Sequence, residues 1–168
     1  MNKSILISIP AYNEEDNVYP LYTTLKSDLQ PIIDQYKFEF VYINDGSTDN
    51  TVKKVLSLMD ETIDVSLIDL SRNYGKEIAM AAGFDYFNHD ALITMDADLQ
   101  HPASTIIDMV ILWEQGYEDI YAKRKKRQGE SWFKKASSKW YYKILGKLSD
   151  SPVIADAGDY RLLDKKVH

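Results

Sequence analysis

Ala91-Leu92-Ile93-Thr94-Met95 runs directly into Asp96-Ala97-Asp98-Leu99-Gln100, an apolar run of strand length that stops on two carboxylates spaced two residues apart. The same punctuation occurs twice before it. Ile5–Pro10 runs into Ala11-Tyr12-Asn13-Glu14-Glu15, and Phe38–Ile43 into Asn44-Asp45-Gly46-Ser47. Short apolar runs bounded by acidic and turn-forming residues read as strands. In an open parallel α/β sheet, ligands bind outside the carboxyl ends of the strands. The acidic groups are therefore expected around one crevice.

Working outward, extended and helical signals alternate. Strands are expected at Ser4–Ile9, Phe38–Ile43, Ile63–Leu70, Ala91–Met95 and Glu118–Ala122. Between the first two, Val18, Leu21, Tyr22, Leu25, Leu29, Ile32 and Ile33 recur at helical spacing from Glu14 to about Gln35, with Pro20 and Pro31 predicting a kink or split. Asp49 is positioned to cap a helix holding Val52, Val55, Leu56 and Met59, and a further helix is expected over Tyr74–Phe87. Pro102 takes the first-turn position of a helix reaching about Glu114, and Trp132–Leu148 reads as the last helix. Strands separated by helices imply parallel pairing through right-handed crossovers, a Rossmann-like, mostly parallel α/β sheet flanked by helices. No repeat or linker interrupts it, so a single domain is expected.

Composition narrows the class. The 168 residues are 45% hydrophobic, enough for one domain with a real core, and contain no cysteine, which excludes disulfides and thiolate metal sites. No apolar run approaches the roughly 20 residues that span a bilayer, and the N-terminus lacks the pattern of a signal peptide. The chain as given is expected to be soluble and cytoplasmic. Its net charge of −6 conceals a segregation: residues 123–147 hold ten Lys or Arg against Glu130 alone. That segment reads either as a solvated helix face or as a patch for an anionic surface. Lys123–Arg127 also looks like a nucleic-acid patch, but the acidic remainder repels a polyanion at longer range, so no nucleic-acid partner is expected.

Three motifs carry chemistry. If the chain stays extended at Asp96 and Asp98, a period of two points both carboxylates one way, and two hard oxygen ligands with open positions suit Mg²⁺ or Mn²⁺ bridging phosphates. A solvated turn with a capping aspartate is the plainer alternative. Asn44-Asp45-Gly46-Ser47-Thr48-Asp49-Asn50-Thr51 is richer in turn residues than a strand-to-helix link needs. Capping accounts for Asp49 but not for Asp45, which is suited to accept hydrogen bonds from a nucleobase or a ribose hydroxyl. Tyr74-Gly75-Lys76 reads as a phosphate-binding turn at a helix start, or simply as that start. No Gly-x-Gly-x-x-Gly or Gly-Lys-Ser/Thr loop is present, so phosphate charge must be met by metal and by Lys or Arg. His101 fits a turn or cap better than a metal ligand.

Five stretches in order resemble the family 2 glycosyltransferases, in the polyprenyl-phosphate branch that includes dolichyl-phosphate mannosyltransferase and bactoprenol glucosyltransferase. They are Ile9–Glu15, Asn44–Thr51, Ser71–Lys76, Asp96–Pro102 and Asp156–Asp164, and together they cover almost the whole chain. The resemblance implies a GT-A fold and inverting transfer of a sugar from UDP or GDP to a polyprenyl phosphate. It places Pro10, Tyr12, Glu14, Ile43 and Asp45 around the nucleoside, and Asp96, Ala97 and Asp98 at the metal and ribose with Gln100 alongside. Lys76 is assigned to the nucleotide sugar, Arg124 to the diphosphate or acceptor phosphate, and Asp159 and Arg161 to the acceptor side. Asp98, Asp159 and Arg124 are the expected catalytic residues.

A sugar leaving with a nucleoside diphosphate needs its developing charge stabilised, and a divalent cation with an Arg would serve. A hydroxyl acceptor, as in polysaccharide synthesis, requires a base such as Asp159. A phosphate monoester, with its second pKa near 6, is largely dianionic at pH 7 and needs little base. Residues 123–147 would then face acceptor phosphate and anionic lipid, at roughly 1 kcal/mol per nearby Lys or Arg. A non-catalytic nucleotide-sugar-binding module is the reading from a different class. Members of this branch continue into amphipathic and membrane-spanning segments, so the chain is expected to be a truncated catalytic domain that acts, in its full-length form, at the cytoplasmic membrane face.

Overall fold

The computed structural model describes residues 2–100, 102, 104–122 and 159–167. The expected segment 123–147, the Trp132–Leu148 helix, His101 and Arg124 lie outside them. The strands are β1 (Lys3–Ala11), β2 (Tyr36–Asn44), β3 (Val65–Asp69), β4 (Ala91–Thr94), β5 (Asp119–Tyr121) and β6 (Arg161–Asp164). The α-helices are α1 (Val18–Asp28), α2 (Thr51–Glu61), α3 (Lys76–Tyr86) and α4 (Ser104–Glu114). One sheet runs in the order β3-β2-β1-β4-β6-β5. The β3/β2, β2/β1 and β1/β4 pairs are parallel, as expected, whereas β6 pairs antiparallel with β4 on one side and β5 on the other.

The inner strands are apolar on both faces because both are covered. Leu6, Val41, Ile43 and Leu92 pack against Ala79 of α3 and against Phe87. On the opposite face the Tyr42 hydroxyl donates to the Val18 carbonyl at the start of α1, and the Tyr22 and Phe40 rings meet edge-on at 5.4 Å. Trp113 of α4 approaches Tyr36 at 6.3 Å and donates its indole N–H to Asp164. Fully burying one such aliphatic or aromatic side chain stabilises the fold by about 1.5–3 kcal/mol.

Several element boundaries differ from expectation for local reasons. The first helix ends at Asp28 rather than near Gln35, because Pro31 disfavours helical backbone at Gln30 and residues 29–35 turn instead. Pro20 causes no kink, since it stands in the first turn, where its missing N–H has no intrahelical partner anyway. Ile63 is fully exposed and outside β3, which starts at Val65 after Asp64 has accepted hydrogen bonds from Thr62 and Tyr22. Helix α3 begins at Lys76 because Gly75, at φ 95°, breaks the helical path. Helix α4 begins at Ser104, with the Pro102 carbonyl accepting the Thr105 N–H in its entry turn. Asp49 caps from one position earlier than a standard N-cap: Asn50 holds that place, while Asp49 Oδ1 accepts the Thr51 N–H at 2.9 Å.

Candidate active site

The register of the sheet decides where the acidic loops meet. Ala11 pairs with Asn44 and Ser8 with Thr94, so β1, β2 and β4 end together. Beyond those ends lies a cleft of about 320 Å³, lined by Pro10, Ala11, Tyr12, Glu14, Asp45, Asn73, Gly75, Lys76, Ala79, Asp96, Ala97 and Asp98. Most of the expected residues are thus brought together, from four separate stretches of chain.

The loops behind the cleft are tied to each other. Asn13, at φ 56°, accepts the Thr48 N–H at 2.8 Å and donates its own N–H to Ser47 Oγ at 2.9 Å. The Glu14 N–H donates to Thr51 Oγ1 at 2.8 Å and the Asn50 N–H to the Glu15 carboxylate at 2.9 Å. Most of the polar residues in these two motifs therefore hold loop to loop. Tyr12, nearly half exposed, stands over the cleft.

Asp45 lines the cleft, and its carboxylate is also engaged by the protein itself. It is 3% exposed, and its two oxygens accept the Tyr74 N–H at 2.7 Å and the Gly75 N–H at 3.0 Å. It anchors the loop that opens α3, with one edge on the cleft. The same bonds occupy the N–H groups that a phosphate-binding turn at Tyr74-Gly75 would have used. Gly46 makes the approach possible: at φ 67°, any Cβ there would collide with the Arg72–Asn73 backbone.

The second polar centre is Lys76. Its Nζ lies 2.5 Å from Asp96 Oδ1 and 2.6 Å from Asp159 Oδ2. Sheet register explains the meeting: Thr94 pairs antiparallel with Arg161, so Asp96, two residues after Thr94, and Asp159, two residues before Arg161, leave the sheet at the same end. The Thr94 hydroxyl donates to the Asp159 carbonyl, and the buried Tyr160 hydroxyl donates to the Pro102 carbonyl at 3.2 Å, fixing this return of the chain. Partial burial disfavours the Lys76 charge, but hydrogen bonds to Asp159 and Asp96 outweigh it and raise the ammonium pKa above its ordinary value.

Four expected site residues lie outside the lining: Asp159, which meets the cleft through Lys76, and three more. Ile43 is fully buried in the core beneath α3. Arg161 lies on β6 with its guanidinium 3.7 Å from Asp119, and Gln100, exposed, donates its backbone N–H to Asp98 Oδ1 at 3.0 Å. Neither lines the cleft. Asn73, which does, stands in the Ser71–Lys76 stretch without an expected role of its own; its clustering with Gly75 and Lys76 at a helix start is the available signal.

Among the described residues no group of three His, Asp or Glu forms a self-sufficient metal cage. Asp96 and Asp98 nonetheless both face the cleft, Asp98 in a tight turn closed by Leu99 at φ 58°. Two carboxylates fit a Mg²⁺-like ion that takes its remaining oxygens from water and a phosphate ligand.

Comparisons with known proteins agree with this geometry. The model of glycosyl transferase family 2 matches residues 6–168. An uncharacterised glycosyltransferase of Synechocystis is 41% identical over 167 residues, covering 99% of this chain and 52% of the relative. The bactoprenol glucosyl transferase of Shigella phage SfV is 34% identical over 165 residues, covering 97% and 52%. The chain spans about half the length of the curated relatives it matches. Among solved structures, a mannosyltransferase from Pyrobaculum calidifontis in complex with GDP-Man and Mn²⁺ superimposes with a TM-score of 0.66 at 16% identity, covering 99% of this chain and 46% of that one. The expected GT-A architecture is thereby shown.

Proposed function

The chain belongs to glycosyl transferase family 2, and on that premise we propose that residues 1–168 form a catalytic domain moving a sugar, with inversion, from a UDP- or GDP-sugar to a polyprenyl phosphate. The observation that carries this reading is the shared cleft at the ends of β1, β2 and β4, where Tyr12, Lys76, Asp96 and Asp98 converge. The similarity to bactoprenol glucosyl transferases favours a lipid phosphate acceptor.

In this reading Pro10, Tyr12 and Glu14 receive the nucleoside, and Asp45 holds the loop against which it rests. Asp96 and Asp98 would hold Mg²⁺ or Mn²⁺, whose charge when bound offsets that of the departing diphosphate. Lys76 adds a second positive charge beside them. Asp159 stands across from Asp96, placed to orient a phosphate acceptor or to accept a proton from a hydroxyl one. Arg124 would complete the phosphate site, and the basic residues of 123–147 would face anionic headgroups at the cytoplasmic membrane surface.

A thermal-shift panel of UDP-glucose, UDP-N-acetylglucosamine and GDP-mannose, with and without Mn²⁺, tests the donor site. At 100 times its dissociation constant one donor should stabilise the protein by about 2.7 kcal/mol. That gain should require metal and vanish in Asp98→Ala. Equal stabilisation by any polyanion without metal would instead indicate a non-catalytic binding module. The acceptor is tested by incubating the full-length protein with labelled donor and bactoprenol phosphate. Label in the chloroform phase supports the proposal, and label only in polysaccharide overturns the lipid acceptor.

A further inference from the structure

Lys76 lines the cleft between two carboxylates. Its position is set by scaffold: it is the first residue of α3, and the two residues before it are pinned by the buried Asp45. Its ammonium reaches Asp96 and Asp159 at 2.5 and 2.6 Å, close charge-assisted contacts on both sides. Asp96 is also one of the two carboxylates that fit a divalent ion. An ammonium and a divalent cation drawn to the same carboxylate repel one another across a few ångströms, in a site only partly screened by water.

Resting on the function proposed above, we propose that Lys76 is a built-in counter-cation: it neutralises Asp96 and Asp159 in the ligand-free cleft, competes with the divalent ion for Asp96, and transfers to the diphosphate when donor and ion bind. The ion alone then binds weakly because it must displace an internal cation. The diphosphate removes that competitor by offering Lys76 another partner, so ion and nucleotide strengthen each other reciprocally. Lys76 would thus couple the two ligands, a task separate from simple attraction of phosphate.

Lys76→Met keeps most of the side-chain stem and removes the charge, and Lys76→Gln provides a second neutral variant. Free Mn²⁺ is followed by electron paramagnetic resonance and UDP or GDP binding by calorimetry, each ligand alone and in the presence of the other. In the unaltered protein, Mn²⁺ affinity should rise on adding the nucleotide by roughly tenfold or more. In either variant with a native circular dichroism spectrum, Mn²⁺ alone should bind roughly tenfold tighter and the mutual strengthening should shrink by a similar factor. Mn²⁺ affinity unchanged in both folded variants, or absence of coupling in the unaltered protein, overturns the proposal. If the unaltered protein binds neither nucleotide even with Mn²⁺, the donor-site reading fails first and the coupling role with it. Normal nucleotide binding with unchanged coupling in the variants removes only the role of Lys76.

Discussion

Asp45 shows how far a residue's type can be read without its neighbours. A carboxylate leading out of a strand into a Gly-containing turn is suited to hold a ligand, yet here its oxygens take two backbone N–H groups from a loop about thirty residues away. Asp45→Ala would remove two part-buried hydrogen bonds to a carboxylate, leaving the Gly75 N–H only Asn73 Oδ1, at about 1–3 kcal/mol. The expected result is a lower urea midpoint together with weaker nucleotide binding, because Gly75 and Lys76 line the cleft; an unchanged midpoint would contradict the anchoring role. Lys76 makes the complementary point. Its place at a helix start was legible, but its two partners come from positions 20 and 83 residues further along, and sequence spacing carries no trace of that meeting.

At the scale of elements, helix α3 lies close on β1 because Gly83 meets Ser8. Both are buried, and Ser8 Oγ has no hydrogen-bond partner among the described residues. A Cβ at Gly83 would run into that hydroxyl. On an exposed helix Gly→Ala gains about 1 kcal/mol; here Gly83→Ala should instead lose about 1–3 kcal/mol through overpacking. Ser8→Ala added to it should recover part of the loss in a double-mutant thermal melt. A second tie joins element ends. Asp90, just ahead of β4, receives the Lys165 ammonium at 2.6 Å and the Ser4 N–H at 3.0 Å, and these hold its carboxyl down at about 2 against an ordinary 3.8. With the folded pKa below the unfolded one, this stabilisation is full above about pH 4 and is lost as the pH falls toward 2. Since Lys165 is 60% exposed, solvent screening keeps it small. Asp90→Asn should lower the urea midpoint slightly at pH 7, and the gap to the unaltered protein should narrow progressively as the pH falls from about 4 toward 2. Long buried runs such as Phe38–Ile43 announced their strands plainly. Arg161–Asp164, four residues with charges at both ends, did not, because so short a segment earns its strand conformation only from neighbours on each side.

For the whole molecule, the decisive event is the insertion of β6 between β4 and β5. It fills what would otherwise be two open edges, and it brings Asp159 to Lys76 of the cleft. A chain ending at residue 158 is therefore expected to lose more than a terminal strand. Exposed β4 and β5 edges favour association, so broadened size-exclusion peaks and reduced thermal stability should follow; a monomeric, native-like product would argue against the closing role. Alternating apolar runs and turn clusters were enough to establish an α/β sheet with acidic loops at one end, because burial and turn chemistry are local and leave their period in the chain. Which loops touch, that Asp45 serves the scaffold, and that a lysine bridges Asp96 to Asp159 depend on strand order and antiparallel register. Those are settled by packing between segments far apart in the chain, where no local pattern records the partner.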